Sequence, residues 1–537
     1  MRWLLVLITL GTWAPGVSSA QDEHAGRSRL NETWPTYHGD GTGQRHSLLR
    51  QVDAANVASL GLVWVYHAST LDDGNLMRSA IKATPLEQGG ILYFSLPNHV
   101  WAIDARTGRP IWHFVTQSGN AIGNRGVALY GRSVLFETPD DHLVSLDATT
   151  GHEQWRVEIA DPKMGYTSTI APIVIGKHLI VAAGGDSLDL PGYLQSRDPQ
   201  TGALQWSWRT TPKHGEPGSQ TWPNQDAMDH GGGMPWLPGT YDRELNLIYW
   251  GTGNPNPVHA GQGRSGNNLW TCSIVALNAD TGKLVWYYQV SPHDTHDWDA
   301  VQTPVLFDGE FKGHSRKLLM QASRNGYFFL LDRATGEHLL TAPYVAANWA
   351  IGLDKQGRPI PNPDKEPRPD GTLVNPSTGG AANWPPPSFD PGSGLLFVNI
   401  GNFPGIYYLT DVSRKPAGFG GREEFLAPQP MITAIDYRTG QATWTHPLTP
   451  GINSSGLLST EGEILFSGDS EQNFGAFATR SGKSLWHVGL GALVSNAPIT
   501  YELNGRQYIV VAAGMDLYAF SLPLAAIGRP FPMRGSQ

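Results

Sequence analysis

Apolar and polar positions alternate in short blocks along this chain: an apolar run, a tight polar turn, then a second run opened by a tryptophan. The unit is clearest where the turn reads Asp-x-x-Thr-Gly. It recurs as AIDARTGRPIW ending at Trp112, SLDATTGHEQW at Trp155, SRDPQTGALQW at Trp206, ALNADTGKLVW at Trp286, AIDYRTGQATW at Trp444 and AFATRSGKSLW at Trp486. LLDRATGEHLL keeps the turn but has Leu340 where tryptophan is expected. Each apolar run predicts a strand, and each Thr-Gly a turn in which Gly108 and its counterparts supply positive φ. The tryptophan begins the next strand and packs its large face between neighbouring sheets.

Repetition of one such unit fixes an architecture, because a single unit cannot bury its own apolar face. GLVWVYHA around Trp64 reads as an eighth unit lacking its first half, and Gln507–Leu522 at the other end supplies the missing strands. Joining the chain ends in one sheet closes a ring and removes exposed edges. The expected fold is all-β, an eight-bladed β-propeller closed by N- and C-terminal strands. A β-sandwich array is the alternative, but its repeats have no need of a split terminal unit. The turns at Gly202 and Gly282, and those at Gly336 and Gly440, are spaced far more widely than Gly108 and Gly151. The excess predicts long loops over one face, carrying PNQDAMDHGGGMPW in the first insertion and IPNPDKEPRPDG and GGAANWPPPSFDP in the second. Long loops on a rigid scaffold are where sites are built.

Composition supports many short strands and tight turns: 63 Gly, 40 Pro and 19 Trp, with 16% charged residues. Length alone would suggest three domains; the repeat argues for one, over residues 21–537. Residues 1–20 read as a secretory signal peptide, with Arg2 before an apolar stretch from Trp3 to Trp13 and a small-residue site ending at Ala20. The expectation is an exported, periplasmic protein without a lipid or membrane anchor, since no later run reaches the roughly eighteen apolar residues a spanning helix needs. One cysteine, Cys272, excludes an internal disulfide. In a strand pattern it reads as an inert core thiol rather than a nucleophile. A formal charge of −9 argues against nucleic acid or anionic membrane as partner.

The stretch from Tyr249 to Asp299 concentrates the candidate chemistry. YWGTGNPNP holds an exposed-looking amide, Asn254, and PHDTHDWDA holds Asp294, Asp297 and Asp299. On an extended segment Asp297 and Asp299 point to one side and Trp298 to the other. Two like-directed carboxylates suit a hard cation, or simply a solvated acidic turn. Asn254 can offer a carbonyl oxygen to a metal or cap its loop. Arg324, before the strand YFFLLD, either reaches the ring axis or stays on the surface. Trp236 stands outside the repeat, which favours a loop or site role. Gly231 to Gly233 have no helix pattern after them and are not a phosphate-binding loop.

Together, WPTYHGDGTGQRHSLLRQVDAANVASLGLVW, NRGVALYG, GYTSTIAP, GGGMPW, YWGTGNPNP, PHDTHDWDA, RNGYFFLLDR and NWPPPSFDP resemble the pyrroloquinoline quinone (PQQ)-dependent alcohol dehydrogenases over nearly the whole mature chain. The resemblance implies a propeller with PQQ near its axis and a bound Ca²⁺ or lanthanide. It implies that Trp236 forms the floor under the quinone, that Asn254, Asp186, Asp297 and Asp299 hold metal, and that Asp299 matches the extra acid of lanthanide-using members. Asp297 would be the general base and Arg324 would bind the quinone oxygens. Arg125, Thr169 and Asn383 would hold the cofactor's edges.

Three positions depart from the family pattern. An adjacent cysteine pair is replaced within SGNAIGNRG, the metal-binding Glu becomes Asp186, and a pocket Glu becomes Lys82, which can pair a PQQ carboxylate. No Cys-x-x-Cys-His follows the propeller, so electrons would pass to a separate acceptor such as a cytochrome c. These departures leave a second reading open: a cofactor-free propeller that serves as a binding or scaffold protein.

Overall fold

A computed structural model describes residues 32–68, 80–119, 123–185, 188–410 and 417–523. The segment read as a signal peptide and Asp186 lie outside the described residues. Eight blades follow one another around a ring. Seven are four-stranded sheets and one has five strands. They span residues 86–115, 128–158, 173–209, 240–289, 305–343, 388–447, 458–489 and 499–521 and are called blades 1 to 8.

Blade 8 takes its outermost strand from the other end of the chain. Gly61–His67 pairs antiparallel with Asp516–Ser521, from Gly61 opposite Ser521 to His67 opposite Asp516. This is the closure expected from the half-unit at Trp64. A second N-terminal strand, His46–Ser47, adds in parallel to Leu458–Thr460 of blade 7. Between them Arg45 is buried, donating to the backbone oxygens of Tyr37, Leu457 and Pro498.

Burial follows position within the blade. Inner strands such as His178–Ala183 and Leu247–Gly251 are buried at every residue, as continuous apolar runs require. Outer strands such as Leu204–Arg209 are mostly exposed and bury one tryptophan, Trp206. In blades 1, 3, 4 and 6 that tryptophan locks the blade to the next. The indole N–H donates to a backbone oxygen in the following blade's turn: Trp112 to Ala148 at 2.9 Å, Trp206 to Ala279 at 2.8 Å, Trp286 to Arg333 at 3.0 Å and Trp444 to Thr479 at 2.8 Å.

At these four joints the tryptophan ring lies on the turn glycine. A Cβ on Gly151 would sit 2.6 Å from Trp112, one on Gly336 2.8 Å from Trp286, and one on Gly482 2.4 Å from Trp444. These glycines have φ between 66° and 75°, so they serve both a left-handed turn and a close approach. The turn's Asp holds it shut: Asp104 accepts from the backbone N–H of Arg106 and Thr107, each at 3.0 Å. Between blades 5 and 6, where Leu340 replaces tryptophan, Gly440 meets Ala342 and Phe328 instead.

The two insertions are partly ordered rather than plain loops. The first carries a short helix, Gln225–Asp229, capped by Asn224 accepting from Ala227 N–H. The second folds into a hairpin, Ala350–Leu353 with Pro359–Pro361. A three-stranded sheet follows, of Thr372–Val374, Gly405–Leu409 and Gly421–Phe425. Among the described residues no helix is long and apolar enough to cross a membrane.

Candidate active site

The site is built where two loops are pressed together. One follows Leu247–Gly251 and carries Thr252 to Asn254; the other joins Leu284–Gln289 to Val305–Phe311 and carries the acids. Gly251, the last residue of that strand, is obligatory, because a Cβ there would lie 1.9 Å from the Ala300 oxygen. The backbone N–H of Ala300 donates to Thr252 at 3.0 Å and fixes the register.

The two ends of the 249–299 stretch therefore meet. Asn254 is buried rather than exposed, and its backbone N–H donates to Asp299 Oδ1 at 2.7 Å. Asp299 Oδ2 accepts from Trp236 Nε1 at 3.0 Å and from Arg324 Nη1 at 2.6 Å. Asp297 Oδ2 accepts from the Thr378 hydroxyl at 2.6 Å and lies 3.6 Å from Arg324 Nη2. The expected convergence of the two carboxylates is present, but by another route. Asp297 has φ +64°, so the segment is not extended; the left-handed residue turns both acids onto Arg324. Trp298 packs into the core, its ring 4.3 Å from that of His296 and 4.6 Å from that of Trp349.

Asp294 does not join them. Its carboxylate accepts from the backbone N–H of His296 and Trp298 and holds the turn. Arg324 is buried, not on the surface. It is 8% exposed and fixed by a 2.6 Å bond from Nε to the Thr378 oxygen.

Charge in this cluster is unbalanced. Burial, and then the neighbouring Asp297, push the Asp299 carboxyl up to about 8, against the pull of Arg324. Burial lifts Asp294 to about 7 and Glu423 to about 7. Arg324 is held charged by Asp297 and Asp299 in spite of its burial. Glu423 was not legible as a site residue, nor was Thr378. Glu423 Oε1 accepts from Thr378 N–H at 3.1 Å, and Thr378 is the hinge between it and Asp297. In sequence Glu423 is one of two adjacent acids in an ordinary exposed-looking strand, GREEF. Thr378 precedes the Gly pair of the insertion motif, the only signal pointing to it.

Arg125, Thr169 and Trp236 form a second group. Arg125 is buried; its Nη1 donates to the Thr169 oxygen at 3.0 Å and its Nε has no partner. Its guanidinium lies 4.8 Å from the centre of the Trp236 ring and 5.9 Å from that of Trp384. The Thr169 hydroxyl donates to the Trp236 oxygen at 3.3 Å. Lys82 is half-buried and its side chain runs against Gly123, where a Cβ would lie 2.8 Å from Lys82 Cδ. Two residues on, Thr84 N–H bonds the Arg125 oxygen. Asn383 turns its amide onto the Gly379 oxygen at 3.1 Å and lines a cavity beside the acids. Cys272 is fully buried, with its thiol pushed well up by burial, as expected of an inert core residue.

The sequence pattern of the glucose/ethanol/alcohol dehydrogenase β-propeller domain of PQQ enzymes matches residues 34–347 and 425–509. The chain belongs to this PQQ dehydrogenase family. It is 34% identical over 517 residues to the quinoprotein alcohol dehydrogenase PedH of Pseudomonas putida, covering 88% of this chain and 84% of that one. It is 31% identical to the cytochrome c-linked 1-butanol dehydrogenase of Thauera butanivorans, covering 90% and 74%. Among solved structures, the quinohemoprotein alcohol dehydrogenase of Comamonas testosteroni superposes with a TM-score of 0.84 at 31% identity, covering 97% of this chain and 84% of that one. A europium-containing methanol dehydrogenase superposes at 0.85 and 27%, covering 93% and 100%.

The residues present suit what a PQQ dehydrogenase holds. PQQ is a planar, carboxylate-bearing ring system, and Arg125 is a buried cation with no carboxylate partner among the described residues, flanked by two indoles. A buried charge left unpaired is costly, so an anionic planar ligand is what that slot lacks. The acids show the opposite surplus. Asp297 and Asp299 share one arginine, and a hard cation such as Ca²⁺ or a lanthanide would relieve the strain that raises Asp299.

Proposed function

We propose that this PQQ dehydrogenase is an exported, metal-dependent enzyme that oxidises an alcohol and passes the electrons to a separate acceptor. The observation that carries the reading is the convergence of Asp297 and Asp299 on Arg324, directly joined to the Trp236 indole. When bound, PQQ supplies the two-electron oxidant and the metal supplies Lewis acidity. Asn254, Asp297 and Asp299, with Asp186, would hold the metal through side-chain oxygens. Arg125, Lys82, Thr169 and Asn383 would hold the cofactor's edges and Trp236 one of its faces.

The chain's own contribution is a base and its orientation. Asp297 takes the hydroxyl proton of the substrate on the carboxylate edge that Thr378 leaves open. Arg324 and Thr378 together fix the plane of Asp297. Asp299 anchors the Trp236 indole through Nε1, so the ring face is set before ligand arrives. A cofactor-free scaffold has no use for an arginine buried without a counter-charge among the described residues, which favours the enzyme over that alternative. Export rests on the leader-like pattern of residues 1–20.

The test is reconstitution of purified protein with PQQ and Ca²⁺, and separately with PQQ and La³⁺, followed by quinone absorbance and dye-linked alcohol oxidation. Binding and turnover with either metal are expected. Failure to take up PQQ under both conditions ends the enzyme reading.

A further inference from the structure

A groove of about 390 Å³ opens on blade 3, and none of the residues placed at the metal or the cofactor lines it. Its base is the outer hairpin of the blade, Tyr193–Arg197 with Leu204–Arg209. Tyr193 lies opposite Arg209 across the ladder and Gln195 opposite Ser207, so these four project to one side. Leu194 and Trp208, between them, take the other. Tyr166, on the connection from blade 2, leans over the base, its ring 5.3 Å from that of Tyr193 at 57°. Asp229 and His230, at the end of the short helix of the first insertion, close the groove. The walls are set before a ligand arrives. The Tyr193 hydroxyl and the Gln195 amide both donate to the Ile159 oxygen, at 3.2 Å and 3.1 Å. Arg209 Nη2 donates to Asp229 at 3.4 Å, but its buried Nε has no hydrogen-bond partner among the described residues.

We propose that this groove binds an uncharged saccharide, with one sugar ring laid against Tyr166 and Tyr193 and its hydroxyls on Arg209, Asp229 and Ser207. Two tyrosine faces at an open angle offer apolar area whose π surface is negative, which suits the C–H side of a sugar ring. Sugar hydroxyls both donate and accept, so one ring serves the Arg209 donor and the Asp229 acceptor together. A buried donor without an acceptor is costly, and a hydroxyl over Arg209 Nε removes that cost. The charge of the walls argues against other ligands. A carboxylate or phosphate drawn to Arg209 would meet Asp229, and a cation drawn to the tyrosine faces would meet Arg209. Small-molecule sites run from about 300 to 1,000 Å³, and a groove near the lower end suits a short saccharide. The groove is complete without PQQ or metal, so the proposal stands or falls apart from the dehydrogenase reading.

The purified full chain is titrated with methyl β-glucoside, cellobiose, maltose and N,N′-diacetylchitobiose, by saturation-transfer NMR and calorimetry. Benzoate and choline serve as charged controls. At least one saccharide should bind, with transfer strongest to its ring C–H protons. Tyr166→Ala and Arg209→Met should each weaken that saccharide about tenfold or more. Tyr166→Phe, which keeps the ring, should bind like the unaltered protein. Both positions are half-buried, so Tm reports whether each variant is folded. Ser207→Trp, at an exposed strand position, fills the groove and should abolish binding, which keeps the test open where a truncation lowers Tm. No binding of any saccharide would overturn the proposal, and so would benzoate or choline held more tightly than every saccharide. Binding that the folded variants leave unmoved places the sugar elsewhere, at the acids for instance, and overturns it as well.

Discussion

Three donors converge on the Asp299 carboxylate, whereas Asp297 has one hydroxyl and a more distant guanidinium edge. That difference divides the work: Asp299 is a fixed support and Asp297 the freer base. Asp297→Asn should keep PQQ, read by its absorbance, and lose about 10²- to 10⁴-fold in kcat, the range of general-base catalysis; a variant that turns over normally removes Asp297 from the role. Arg324→Ala leaves both acids buried and unpaired, and breaking a buried pair costs about 3–5 kcal/mol. A large drop in Tm is expected, and an unchanged Tm would mean that the acids shed their charge at little cost.

Another acid, remote from this chemistry, gives a cleaner pH test. Asp141 is fully buried in a left-handed turn (φ +59°), and neither carboxylate oxygen has a hydrogen-bond partner among the described residues. Burial, then Asp140 and Glu158, push it up to about 7. Its proton is favoured in the folded state, so its contribution to stability is full below the ordinary carboxylate range. It is lost as pH rises to about 7. Asp141→Asn tolerates the left-handed backbone and should raise Tm at pH 8, by up to about 4 kcal/mol of stability, with little effect at pH 4. Equal shifts at both pH values would contradict the buried-acid account.

At the scale of elements, the tryptophan of one blade and the glycine of the next form a single joint. Gly336→Ala would place a methyl against Trp286 at a φ of +75°. A loss of about 1–3 kcal/mol from backbone strain, before the clash is counted, should appear in thermal unfolding. Leu340→Trp, which restores the repeat residue, should destabilise by about 1–3 kcal/mol through overpacking, because Ala342 and Phe328 already fill the space over Gly440. If it stabilises instead, blade 5 has merely lost its lock.

These joints were legible in sequence because every part of them is local: Asp, Thr, Gly and Trp sit within one turn and its flanking strand. The Asp297–Asp299 pair was legible as a pair, but not the left-handed residue that aims it. The loop that carries it is seated by Gly251 against Ala300, a contact between segments almost fifty positions apart in the chain. Asn254 looked exposed because its burial comes from a distant loop. Glu423 gave no signal, since an acid on an amphipathic strand is ordinary until an insertion folds it onto Thr378.

For the molecule as a whole, Arg125, without a carboxylate partner among the described residues, and the surplus of acid imply that the empty ring is not the most stable one. A ligand that binds only the folded state at a hundred times its Kd adds about 2.7 kcal/mol, so PQQ with metal should raise Tm clearly above PQQ alone. Asp299→Ala should remove more of the lanthanide-supported rise and turnover than of the calcium-supported share. Equal loss with both metals would count against Asp299 as the selector.

Blade 8 also sets an order of events. Its outer strand, Gly61–His67, waits for Asp516–Ser521, at the far end of the described chain. Contacts of such long sequence separation form late, because the loop they close must be ordered first. A chain emerging from a ribosome cannot seal its ring until its last blade is out. Until then the edges of blades 1 and 7 are open to pairing.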